Sequence, residues 1–109
     1  MNVQTNFKPE KKGGNPLYMA LVAELPCCIC EAFGEVQLSK TQVHHTICGR
    51  YGQTRTPDEQ AIPLCEGHHQ GLWDQSKVAI HKGKETWVKL YGPDTDYIAA
   101  TQDATGYFV

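Results

Sequence analysis

Four side chains, Cys27, Cys30, Cys65 and His68, fall into two pairs, and within each pair two residues separate the members. A two-residue gap lets both side chains of a pair turn onto one ion, so the two pairs together form a tetrahedral zinc pattern. Cys28 is a poorer partner for Cys30, because a single intervening residue leaves little freedom to bring both thiolates to the same metal. Four protein ligands leave no open position for a substrate, so the expected role of the zinc is structural. In a chain of 109 residues, with room for one core, such a staple adds folding free energy that a small core lacks.

The chain has five Cys and five His, and all ten lie between Cys27 and His81. Five cysteines cannot all pair with one another. The first residues lack the apolar stretch and small-residue cleavage site of a secretory signal, so the reducing cytoplasm is the expected compartment. Metal ligation is therefore favoured over a disulfide framework, with buried unligated cysteines as the plain alternative. Hydrophobic residues at 40% and charged residues at 20% exclude the disordered classes. The longest apolar run, Leu17 to Leu25, is interrupted by Glu24 and falls short of the ~20 residues of a bilayer span, so no membrane partner is expected. A net charge of −2 argues against tight binding of nucleic acid by overall charge alone.

Residues 1–14, with Lys8, Lys11 and Lys12, read as a flexible basic tail. Asn15 and Pro16 then mark a helix start, with Leu17, Leu21, Val22 and Leu25 on one face and Pro26 as its stop. Cys27 to Cys30 form a knuckle, and Val36 to His45 is a β-prone stretch with two histidines at its end. Thr46 to Gln60 reads as a long ordered loop. Ala61 to Leu64 follows as a second strand, and Cys65 to Asp74 as a short helix. A last helix covers Lys84 to Tyr91, with Trp87, Val88, Leu90 and Tyr91 as its apolar surface and Gly92-Pro93 as its end. Asp94, Asp96 and Asp103 make 94–109 an acidic C-terminal segment.

His68 and His69 are neighbours on the expected helix, where adjacent side chains diverge by about 100°, so they should serve different centres. With His68 on the zinc, His69 is left with His44, His45 and His81. Any one of these alone would be an ordinary core or surface histidine. Four together point to a second, open metal site.

The run Leu25-Pro26-Cys27-Cys28-Ile29-Cys30, the doublet His44-His45, the run Ile62-Pro63-Leu64-Cys65-Glu66-Gly67-His68-His69 and the run His81-Lys82-Gly83-Lys84-Glu85-Thr86-Trp87 resemble the Ref-type, RecA-dependent nucleases of phages and prophages. That group belongs to the HNH, or ββα-metal, nucleases. The resemblance spans roughly residues 17–92 and keeps the order and approximate spacing of all four motifs. It implies a small α+β, zinc-containing domain over 15–93 with a ββα-metal (HNH, or His-Me finger) core flanked by helices.

The resemblance also implies roles. His45 matches the general base toward water, and His44 the metal ligand before it. His69 and His81 match further ligands of the catalytic ion, which would be Mg²⁺ or Mn²⁺, with Zn²⁺ able to stand in. The superfamily's Asn, which orients the base, has no Asn counterpart here. Asp58 lies where the Ref-like group tends to have Asp, and Gln60 is nearer the usual Asn spacing. Asp74 is a further possible ligand that the family pattern does not require. DNA is the implied substrate, a RecA-type recombinase filament the implied partner and a bacterial host cell the implied setting.

Phosphodiester hydrolysis needs a proton acceptor for water and a cation for the charge on the phosphorus oxygens, which a histidine and one metal ion supply. Arg50, Arg55, Lys82 and Lys84 flank the proposed site and are candidate phosphate contacts, Arg having the better bidentate geometry. Tyr51 and Trp73 are candidates for stacking on bases, with apolar packing the expected use of Trp73. Two other readings stay open. One is a zinc-stabilised module that binds DNA or a recombinase without cutting, which would not need His44, His45, His69 and His81 together. The other is a homing-type or restriction-type HNH enzyme, which would need a recognition domain that is not visible.

Overall fold

The computed structural model describes residues 14–52 and 54–108. The basic tail expected over 1–14 thus lies outside the described residues, apart from Gly14. The elements run α1 (Pro16–Ala23), α2 (Cys28–Phe33), β1 (Thr41–His45), a 3-10 turn at Asp58–Gln60, β2 (Ala61–Cys65), α3 (Glu66–His69), α4 (Lys84–Tyr91), a second 3-10 turn at Asp94–Tyr97 and α5 (Ile98–Thr105). Among the described residues this is a small α+β protein whose sheet is one antiparallel pair, with Thr41 opposite Cys65, His44 opposite Ile62 and His45 opposite Ala61. No helix among the described residues is long and apolar enough to cross a membrane.

Helix α1 starts where its residues dictate. The Asn15 side chain accepts from the Tyr18 N–H, and Pro16 occupies a position whose N–H would have no helical partner. Its buried face differs from the aliphatic one expected: Tyr18 and Val22 are buried, whereas Leu17 is 62% exposed. The Tyr18 ring packs on Tyr107 and Phe108, residues distant in the chain, and that contact turns the helix.

The first strand is shorter than the β-prone stretch because Gln37 ties the preceding residues elsewhere. Its side-chain oxygen accepts from the Cys27 N–H at 2.8 Å, and its amide donates to the Ser39 carbonyl and to Thr41 Oγ1. The helix expected over Cys65 to Asp74 stops at His69. Gly71 turns the chain through φ 64°, and the Glu66 carboxylate accepts the N–H groups of Leu72, Trp73 and Asp74. Those donors are satisfied without a helix.

Strand β2 is buried along its whole length, and Ile62 and Leu64 join Ile29, Ile80 and Trp87 in the core beside Cys27, Cys30 and Cys65. The buried Trp87 donates its ring N–H to the His68 carbonyl at 3.1 Å, which fastens α4 to α3. Residues 94–105 pack on the same body: α5 lies against β2 and α1, and Asp94 is fully buried.

Candidate functional site

Two groups of metal-ligating side chains form among the described residues. The first joins Cys27 and Cys30 at the start of α2, Cys65 at the end of β2, and His68 one turn into α3. All four are buried, and their ligand atoms lie within 4.8 Å of one another. His68 Nδ1 is 3.3 Å from Cys65 Sγ, 3.5 Å from Cys27 Sγ and 3.7 Å from Cys30 Sγ. On the other side of the ring Glu35 Oε1 stands 3.1 Å from Nε2, off the line that a hydrogen bond requires.

The Cys27 thiol holds Cys65 down to about 3, against the effect of burial, and His68 adds to it. The same contact, with burial, pushes Cys27 up, and burial pushes Cys30 up to about 11. Three sulfurs and one imidazole at this spacing are a soft, four-donor set suited to Zn²⁺. This buried Cys3His cluster could hold a metal such as zinc. Cys28 and Cys48 are not members of it, and burial pushes Cys28 up to about 12.

The second group is His44 from β1, His69 from α3 and His81 from the segment before α4, with ring centroids 4.8 to 5.4 Å apart. Adjacent positions on α3 send His68 to the sulfurs and His69 to this trio, as the helical angle requires. The N–H groups of Ile80 and His81 donate to the carbonyls of His68 and His69, at 3.0 Å each, so His81 is laid alongside the short helix.

Two rings of the trio are oriented from behind. His44 Nε2–H donates to Asp94 Oδ2 at 2.9 Å, and the same carboxylate accepts the N–H groups of Ile47 and Cys48 at 2.8 and 3.1 Å. His69 Nδ1–H donates to Gln42 Oε1 at 2.7 Å. His44 Nδ1 and His69 Nε2 are thereby left to ligate, an arrangement common among metal-binding histidines. Burial, then the facing His44 and His81, push His69 down to about 4. His81 is lowered by burial and next by His44 and Arg50. Neutral imidazole is the ligating form. Burial raises the Asp94 carboxyl, but the hydrogen bonds from His44, Ile47 and Cys48 outweigh it and keep the group below the usual carboxylate range.

His45, next in the strand, faces the opposite way and is not a member of the trio. Its Nε2 lies 2.8 Å from Asp58 Oδ1, and Arg55 Nη2 approaches the same nitrogen to 3.1 Å. The other Asp58 oxygen accepts the Asn15 N–H at 2.7 Å. Asp58 is held below its ordinary value first by His45, against the cost of burial, and then by that N–H. It is Asp58, rather than Gln60, that reaches His45.

The remaining candidates are dispersed. Asp74 is not on the helix with His69; its Oδ1 accepts from the N–H and hydroxyl of Ser76, and it belongs to neither group. Lys82 donates to the Gly71 carbonyl at 2.6 Å and so holds the turn after α3. Arg50 and Lys84 are exposed. Trp73 does not pack as expected: it is 76% exposed, because the Glu66 caps carry the chain outward there, and Tyr51 is exposed as well.

Sequence reasoning missed Asp94 and Gln42. Gln42 had a signal, since it lies two residues before His44 and shares its strand face. Asp94 had none, being set apart in an acidic segment. A family model described as "Recombination enhancement, RecA-dependent nuclease" matches residues 16–105, from the start of α1 to the end of α5. No curated protein and no solved structure matches the chain.

Proposed function

Because the chain belongs to the recombination-enhancement, RecA-dependent nuclease family, we propose that it is a metal-dependent DNA endonuclease of the HNH, or ββα-metal, type that serves phage-linked recombination. One observation carries the reading: beside a closed Cys3His set stands a second group of three imidazoles, His44, His69 and His81, with His81 at the surface. Three protein ligands at an accessible rim leave room for a phosphate oxygen and a water, whereas a structural site is complete with four. The succession of β1, β2 and α3 around these histidines suits a ββα-metal core.

Bound there, a divalent cation would neutralise charge on the scissile phosphate and its leaving oxygen. His45 is the proposed general base. Its Nε2–H is held by the Asp58 carboxylate, which leaves Nδ1 to take the proton from water. Asp58 fixes the tautomer and ring plane, and Asn15 and Arg55 in turn position Asp58 and the dyad. His44 and His45 together end β1, so a phosphodiester drawn to the strand end meets the base from one face and the trio from the other. Arg50, Arg55 and Lys84 are proposed phosphate contacts, with Lys82 contributing charge from the turn it braces.

The decisive experiment incubates the purified protein with single-stranded, duplex and recombinase-coated DNA, each with Mg²⁺, Mn²⁺ or chelator. Metal-dependent cleavage that His81→Ala abolishes is expected. If no DNA form is cut with either metal, a non-catalytic binding module replaces the nuclease.

A further inference from the structure

A groove of about 630 Å³ has Leu38, Lys40, Gln42, Glu66 and Trp73 among its lining residues. It joins the proposed catalytic site through one side chain, since Gln42 both lines the groove and accepts the His69 N–H at 2.7 Å. At its edge the Trp73 indole is 76% exposed and Leu38 is 55% exposed. The indole is not on a loose tip. The Glu66 carboxylate accepts the N–H groups of Leu72, Trp73 and Asp74 at 2.7 to 3.1 Å, and Lys82 holds the Gly71 carbonyl just before them.

The Glu66 carboxylate is an anion held in place by three backbone donors, and the exposed Lys40, also in the lining, offsets its charge and is the cation a phosphate can meet. A rigid aromatic face beside an apolar side chain and a cation is the chemistry that binds a single nucleotide: the base stacks, and the ammonium meets its phosphate. A base inside a duplex has both faces covered by its neighbours and offers neither to an indole.

We propose that this groove is a subsite for an unpaired nucleobase of the DNA strand next to the cleavage point, with Trp73 as the stacking platform, Leu38 as its apolar flank and Lys40 on the adjoining phosphate. The proposal rests on the nuclease reading and assigns its substrate a single-stranded, or locally extruded, nucleotide at this position.

Intrinsic fluorescence tests it directly. The chain has two tryptophans, and Trp87 is fully buried, so quenching by added DNA reports on Trp73. The probe is a 12-nucleotide oligothymidylate, titrated into the zinc-loaded protein without Mg²⁺ or Mn²⁺, its intactness checked on a gel. Quenching is expected. Trp73→Ala should weaken binding on the order of tenfold or more, and Trp73→Phe should keep most of the affinity. An abasic strand of the same length should bind the wild type no better than oligothymidylate binds Trp73→Ala. Lys40→Ala should lower the slope of log affinity against log salt by roughly 0.7.

Equal affinity of wild type and a Trp73→Ala protein with unchanged zinc content and melting, or an abasic strand that binds as well as oligothymidylate, overturns the subsite. The nuclease reading then stands so long as DNA is still cut. A Trp73→Ala protein that binds free DNA normally, yet fails only on recombinase-coated DNA, also overturns it and gives the groove to the recombinase. A wild type that neither binds nor cuts DNA removes both readings.

Discussion

Asp94 and His44 stand fifty residues apart in the chain and 2.9 Å apart in the fold, and both are closed off from solvent. The carboxylate takes three hydrogen bonds from His44 and the two backbone N–H groups that follow β1 in the loop. One side chain thus sets the ring of a candidate ligand and the exit of the strand that carries it.

Asp94→Ala should therefore act on stability and on metal binding together. It leaves buried donors without a partner, at about 1–3 kcal/mol for each group left unsatisfied. Metal affinity at the trio should fall by roughly 10- to 100-fold, as when other orienting partners of ligating histidines are removed. Calorimetric titration with Mn²⁺ and a melting curve measure the two effects. A variant with unchanged Mn²⁺ affinity would show that Asp94 serves the fold alone.

Cys65→Ser should lose metal and cooperative unfolding together. Zinc free energies in small sites are on the order of 10 kcal/mol, comparable to the whole stability of a domain this size. Cys65 also ends the fully buried strand β2 and lies 3.3 Å from His68 Nδ1, so its loss opens the set at the core. A zinc-free Cys65→Ser protein that melts like the wild type refutes the structural role.

Cys28→Ser and Cys48→Ser should keep one zinc per chain by elemental analysis, since neither thiol is a member of the Cys3His set. Loss of zinc from either variant would mean that the ligand set has been drawn wrongly.

His45→Ala should keep its zinc, its melting curve and its DNA affinity, yet cut roughly 10²–10⁴-fold more slowly, the usual contribution of a positioned base. His69→Ala and His81→Ala should behave differently and lose Mn²⁺ affinity as well as rate. Single-turnover cleavage at saturating metal separates the two classes, and wild-type rates in His45→Ala would end its assignment as base.

Asp58 carries a pH signature. Its folded-state carboxyl lies below the ordinary value of roughly 3.9, so the unfolded chain binds the proton more readily. The stability it contributes is complete above that ordinary value and is lost as pH falls through the lower folded value. Asp58→Asn should cost roughly 1–2 kcal/mol at pH 7, through the weakened bonds to His45 and the Asn15 N–H, and nothing below the folded value. Urea unfolding of both proteins across pH tests the sign, and a difference that persists unchanged in acid contradicts it.

Much of the architecture was legible in short-range pattern. The two-residue gaps within Cys27/Cys30 and Cys65/His68, the Asn15-Pro16 start of α1, the Gly92 end of α4 and the divergence of His68 from His69 depend on backbone geometry over one turn of chain. Such relations hold wherever the segment sits.

What the tertiary structure alone decided has the opposite character. Tyr18 rather than Leu17 faces inward because Tyr107 and Phe108 meet it, and α3 stops at His69 because Glu66 satisfies the donors that a longer helix would have used. The partner of His44 is Asp94, which nothing in the sequence marked, whereas Asp58, the partner of His45, was a candidate beside Gln60 on the resemblance, and the fold brought Asp58 to the ring. The Tyr18, Asp94 and Asp58 contacts gain their free energy only when distant parts of the chain are already in place, while the Glu66 caps are local but rest on one side chain's choice of donors, which no periodicity marks. The sequence by itself therefore marked which residues are candidates to hold a metal or take a proton, and the packed fold decided which side chains orient them: Asp94 for His44, Gln42 for His69 and Asp58 for His45.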